Sequence, residues 1–341
     1  MPSKLKVLGA VGAVTVIAAA TAACGPGDKE GAGAKVSSAF TKLGEEKSIG
    51  ATLTFDGSAD QIYAAMKGEK DFKRADAQML ADLKASAGVA YDRPLKDVRN
   101  DSEAKGLSLA VSSKGTNVLE VRGVGKQLYI RFDLKQVMAL GEASAKEKKE
   151  IQEFLDSADG MPAPVRAALN GSWVRMDQKE FEEFAKETGT DSQLPDSSSL
   201  DAKAQRKVIE SLQKTLTEDA TYKDAGSKDG VDHVTVTVPA KKAAESVEST
   251  LESLKQKDGF KASDVPDKDV NIDVAIKDGK ISALALDLSD LAEDTKGKLP
   301  ATIALNDGAD AVAAPKGAQK LGVSDLMGAF MYAAMQGGDL Q

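Results

Sequence analysis

The sequence predicts an α+β fold, one large curved antiparallel sheet (a half-barrel) wrapped around helices. Three observations carry this prediction. Segments of period two follow one another closely at Leu107–Ser112, Asn117–Arg122 and Lys126–Phe132, with Lys114-Gly115 and Gly123-Val124-Gly125 between them. Strands joined by such short turns pair antiparallel. A hairpin is written into Val270–Leu288, where Asp278-Gly279 is the two-residue turn of type I′ geometry. Segments with apolar residues at helical spacing stand between the strand groups, and layers of this kind share one core.

The elements follow in order. Val36, Phe40 and Leu43 mark a short amphipathic helix, and Ala51–Phe55 alternates as a strand. Met79, Leu80 and Leu83 give a helix over Ala75–Ala85; the three strands named above come next. A helical block is expected over Leu134–Leu140, Lys146–Leu155 and Val165–Leu169, the last preceded by Pro162 and Pro164. Gly171–Met176 reads as a short strand, and Asp177 is placed to cap a helix over Lys179–Lys186. Thr188–Ser199 is a polar loop and the best internal boundary. Beyond it Val208, Ile209, Leu212 and Leu216 share one helix face.

In Val231–Val238 the valines 234, 236 and 238 face one way, with His233, Thr235 and Thr237 opposite. Ala243, Val247, Leu251 and Leu254 mark a helix. In the hairpin, simple register sets Ile276 opposite Ile281 and Val274 opposite Ala283. Leu284, Leu286 and Leu288 fill the other face of the second strand, which predicts cover on both sides. Ala301–Leu305 adds a strand, and Ser324–Gln336 a closing helix.

The N-terminus gives an address. Lys4 and Lys6 precede an uncharged apolar run from Val7 to Ala20, followed by Thr21-Ala22-Ala23-Cys24. That is the layout of a secretory signal peptide, and the run is too short to span a bilayer, which takes about 20 apolar residues. Cys24 is the only cysteine, so no internal disulfide can form. The segment resembles the start of a bacterial lipoprotein, which implies cleavage before Cys24 and acylation of its thiol. One chain anchors only marginally, at about 0.8 kcal/mol per buried CH2, so two or three chains are expected to hold the protein on the membrane face. The expected organisation is a signal peptide at 1–23, a glycine-rich tether at 24–35, and one domain over 36–341 with an internal boundary at 188–200.

Composition excludes several functions. The formal net charge is −8, and a chain that loses Lys4 and Lys6 with its signal carries −10. This argues against nucleic acid, which needs a basic stripe, and against electrostatic docking on anionic lipid. One His and one Cys cannot assemble the usual zinc ligands. Gly123-Val124-Gly125 has Leu128 where a dinucleotide loop needs glycine. Asp267–Asp278 imitates a calcium loop but has Ile272 at its sixth position and Asp278 at its twelfth. Two Ser-x-x-Lys matches, at Ser102 and Ser211, lack convincing partner motifs. His233 has no nucleophile near it in sequence. No cofactor is implied, and the chain reads as a non-enzyme.

At this point the chain resembles the LppX/LprAFG lipoproteins of actinobacteria, within the wider group of carriers typified by LolA. Four stretches carry the likeness in order: Gln127–Asp133, Gly171-Ser172-Trp173-Val174-Arg175-Met176-Asp177, Asp232–Val236, and Asp278-Gly279-Lys280-Ile281. The resemblance implies an apolar concave face closed by helices, a bound lipid or other hydrophobic ligand, and no catalysis. Candidate cavity residues are Trp173, Leu284, Leu286, Met327, Phe330 and Met331. Trp173, the only Trp, suits either core packing or a cavity wall. Met327, Met331 and Met335 recur every four residues, and such a stripe either packs on the sheet or forms an adaptable flap. The alternative function is a surface scaffold that binds a protein partner and has a filled interior.

Overall fold

The computed structural model describes residues 31–68, 72–98, 104–140, 149, 152–153, 155, 160–187, 219–253, 261–291, 297–308 and 313–336. The strands are β1 (Ser48–Phe55), β2 (Leu83–Tyr91), β3 (Ala104–Ser113), β4 (Thr116–Val124), β5 (Gln127–Phe132), β6 (Val174–Asp177), β7 (Thr221–Lys228), β8 (Val231–Pro239), β9 (Asp269–Lys277), β10 (Lys280–Asp287), β11 (Pro300–Asn306) and β12 (Gln319–Lys320). The helices are α1 (Ala32–Glu45), α2 (Ala59–Met66), α3 (Arg74–Asp82), α4 (Leu134–Leu140), α5 (Ala163–Leu169), α6 (Gln178–Glu187), α7 (Ala240–Ser253) and α8 (Val323–Gln336). The class is α+β, as expected.

All twelve strands form one open sheet in the order β12-β6-β5-β4-β3-β2-β1-β11-β10-β9-β8-β7. Every pairing is antiparallel except β12 on β6. Helices gather on one face. On the β7–β10 flank Val36 and Ala39 of α1 and Ala240 and Ala244 of α7 close over Val234, Val236, Val274 and Ile276. Over β1 and β11, Ile62, Ala65 and Met66 of α2 and Ala77 of α3 pack on Phe55 and Ala301. On the opposite flank Val165 of α5, Phe181 of α6 and Leu326 of α8 cover Val174 and Met176.

The other face carries hydrogen-bonded polar side chains on several strands. Thr52 and Ser86 hydroxyls meet at 3.0 Å, Thr237 donates to Asn271 at 2.6 Å, and His233 Nδ1 lies 2.9 Å from Asp273. His233 thus stands on the threonine side of β8 with an ordinary hydrogen-bond partner.

Several elements differ from the sequence expectation. The helix expected to reach Ala85 stops at Asp82, and the chain turns directly into β2. Ala85, Ser86, Ala87, Gly88 and Ala90 have weak strand propensity; pairing with β1 and β3 on both sides supplies what propensity does not. α2 has few large apolar residues, but Ser58 and Gln61 form a capping box: the Gln61 amide donates to Ser58 Oγ at 3.3 Å and the Ser58 amide to Gln61 Oε1 at 2.8 Å. β7 is an exposed edge strand with almost no apolar pattern. α1 starts at Ala32, before the first periodic residue, and its Gly33 lies against the Tyr222 ring.

The β9–β10 hairpin has its type I′ turn, with φ of 53° at Asp278 and 73° at Gly279. Ile276 pairs Ile281 as expected, but a bulge between Ile281 and Ala283 shifts the register and sets Val274 opposite Leu284. The bulge brings Ile281 and Leu284 to the same, helix-covered face. The opposite face of β10 carries Ala283, Ala285 and Asp287, the two alanines beside Thr302 and an exposed Ala304. Small or polar side chains there remove the need for the second cover that three leucines predict. Asp177 caps α6 as expected, accepting from the Lys179 amide at 2.9 Å. The signal segment with Cys24, most of Lys146–Leu155, the 188–200 boundary and the helix bearing Val208–Leu216 lie outside the described residues.

Candidate functional site

Residues paired across neighbouring strands project to the same face, so register alone assembles the helix-side surface. One ladder runs Leu305, Ala51, Ala87, Leu109, Val121, Ile130, Val174 across seven strands. A second runs Leu284, Ile303, Leu53, Ala85, Val111, Leu119. No residue in either ladder is charged. At about 4.8 Å between strands the first is roughly 29 Å wide.

Cover over this surface is uneven. At the β6 end Val174 is 1% exposed. In the middle Leu107 and Leu109 of β3 are 44% and 53% exposed, although they stand on the helix side. α1, α2 and α3 close one flank and α5, α6 and α8 the other; between them β2–β4 present apolar side chains that are only partly covered. A folded protein ordinarily buries its strand leucines, and a contiguous exposed apolar patch marks a binding surface.

Of the residues singled out from sequence, Leu284 and Leu286 fall on this face, half-buried. Met327 and Met331 lie one helical turn apart on α8 with 38% and 57% exposure, while Leu326 of the same helix packs inward. Phe330 belongs to α8, but its side chain lies outside the described residues. Trp173 is separated from all of these. It precedes the inward Val174 and faces the other way, its ring centroid 5.3 Å from the Arg122 and 5.4 Å from the Arg131 guanidinium carbon. Sequence reasoning placed Leu107 and Leu109 in a strand without singling them out. Their signal was the Leu-x-Leu-x-Val alternation of β3 beside neighbours made of alanine, which gives little cover.

The chemistry available on this surface is that of hydrocarbon contact. Among the described residues no three metal-ligating side chains come together. The perturbed acids and bases lie elsewhere and hold elements in place. A hydrogen bond with Asp224 raises the Lys35 pKa and lowers that of Asp224, tying α1 to β7 across 2.7 Å. A hydrogen bond to Glu46 raises Lys280. Among the described residues no helix is long and apolar enough to cross a membrane.

No protein-family model matches the chain, and no curated protein matches it. Among solved structures it is similar to the crystal structure of the Mycobacterium tuberculosis lipoprotein LppX, over 80% of this chain and 92% of that one. Identity is 9% and the TM-score 0.30, a degree of likeness that decides neither family nor function.

Proposed function

We propose that this chain is an extracytoplasmic lipoprotein that binds a lipid or another hydrophobic ligand on the helix side of its sheet, without catalysis. The observation that carries the reading is the pair Leu107 and Leu109, left 44% and 53% exposed in the middle of an uncharged apolar surface whose flanks are closed by helices. Contact with an alkyl chain removes that area from water at about 25 cal/mol per Å2. Acylation of Cys24 keeps the carrier beside the membrane, where such ligands are found.

Native mass spectrometry with lipid extraction, on protein purified from its own membrane, tests the ligand. A copurifying lipid is the expected result, and an empty protein favours a scaffold. Radiolabelled palmitate tests the anchor: it is expected to mark the wild type and not Cys24→Ala, and an unlabelled wild type rejects acylation.

A further inference from the structure

We propose that the face of β4, β5, β6 and β12 that carries Arg122, Arg131 and Arg175 is a docking surface for an acidic polypeptide segment of a partner protein. Register places Arg122, Tyr129, Arg175 and Lys320 opposite one another in a single row across these four strands. Arg131 stands in the adjacent row opposite Glu120, and Trp173 lies against both Arg122 and Arg131. Three of the eight arginines and the only tryptophan therefore share one patch, in a chain whose net charge is −8.

The patch is built rather than incidental. Glu120, 5% exposed, lies beneath it and is satisfied by Asn117, by Arg131 at 3.2 Å and by Arg122 at 3.8 Å. Arg122 also donates to the Ala313 carbonyl at 3.2 Å. Two guanidinium groups are thus fixed by one buried carboxylate and one indole, and little rotamer freedom remains to be lost when a second anion arrives. Of the acids at the margin, Asp177 accepts from Gln127 and the Lys179 amide, while Glu180 lies 3.7 Å from Lys320 through Oε1 and keeps Oε2 buried without a hydrogen-bond partner. Arg175 is exposed.

Length and position choose the partner. Arg122 and Lys320, at the two ends of the row, stand three strand spacings or roughly 14 Å apart, with a buried Tyr129 between Arg122 and the exposed Arg175, which suits spaced carboxylates of an extended segment better than one phosphate headgroup. The chain's N-terminal approach is at the other end of the sheet, where Lys35 of α1 bonds Asp224 of the edge strand β7.

The test uses the full mature protein in phosphatidylcholine nanodiscs and reads Trp173 emission, which reports this site alone. The probes are a ten-residue Glu-rich peptide, its Lys-rich counterpart, and phosphatidylglycerol vesicles. The expected result is a saturable change in emission with the Glu-rich peptide only, weakened at high salt and at least fivefold by Arg175→Glu with Lys320→Glu, with the melting temperature unchanged. No salt-sensitive change with that peptide, or equal binding by the double variant, overturns the proposal. A response to the vesicles without one to the peptide assigns the patch to membrane and also overturns it.

Discussion

Replacing Leu107 and Leu109 together by asparagine separates a binding surface from a core. Full burial of a leucine side chain stabilises by about 1.5–3 kcal/mol. With 44% and 53% of their areas left exposed, roughly half of that value is realised on folding, and about 1 kcal/mol per side chain is left for a ligand to gain. The pair is then worth about 2 kcal/mol of affinity, or roughly thirtyfold in Kd. The assay is titration with a fluorescent fatty acid, with thermal unfolding of the same samples as the control for folding. The expected outcome is a cooperative transition shifted by only a few degrees, together with the large loss of affinity. A folded variant that binds as tightly as the wild type would show that these side chains contribute nothing to a ligand and that the surface is not its site. A variant that fails to fold also counts against a binding surface, since it would show the two leucines to be core.

Three further outcomes test the framework around that surface. Ile62→Ala, at a side chain 0% exposed beneath α2, is expected to cost about 2–5 kcal/mol by urea unfolding; a loss below about 1 kcal/mol would mean that α2 does not seal its flank. Gly50→Ala pushes its new methyl into the Asn306 amide, whose Oδ1 accepts from the Gly308 N–H at 2.9 Å. The expected cost is about 1 kcal/mol for that bond, largely absent when Asn306→Ala is already present; full additivity in the double-mutant cycle would reject the link. Asp287 is partly buried, which opposes ionisation, but bonds from the Ser289 hydroxyl and amide and the Leu299 amide outweigh this and hold its pKa below the ordinary value. A depressed folded-state pKa gives stability that is present above the unfolded value and is lost as pH falls through the folded one. Wild type should therefore exceed Asp287→Asn in urea midpoint at neutral pH and lose that lead in the acid range; a constant difference would show that the charge is not responsible.

The local units are legible in the sequence alone. Alternation and tight turns gave β3, β4, β5 and β8, and Asp278-Gly279 gave the β9–β10 hairpin, because period and turn geometry are properties of a few adjacent residues. The class followed from their order. Composition and the segment ending in Cys24 gave an expected address and a set of excluded chemistries. The rest depends on contacts between distant strands. β2 is a strand because β1 and β3 bond it on both edges, against the preference of its alanines and glycine. The bulge after Ile281 turned Leu284 toward the helices, which no count of residues along the hairpin reveals. Trp173 and Leu284 looked like members of one cavity, yet they lie on opposite faces, since facing is set by register across the sheet. Leu107 and Leu109 carry the same alternation as a buried strand, and only the placing of the helices to either side left them uncovered.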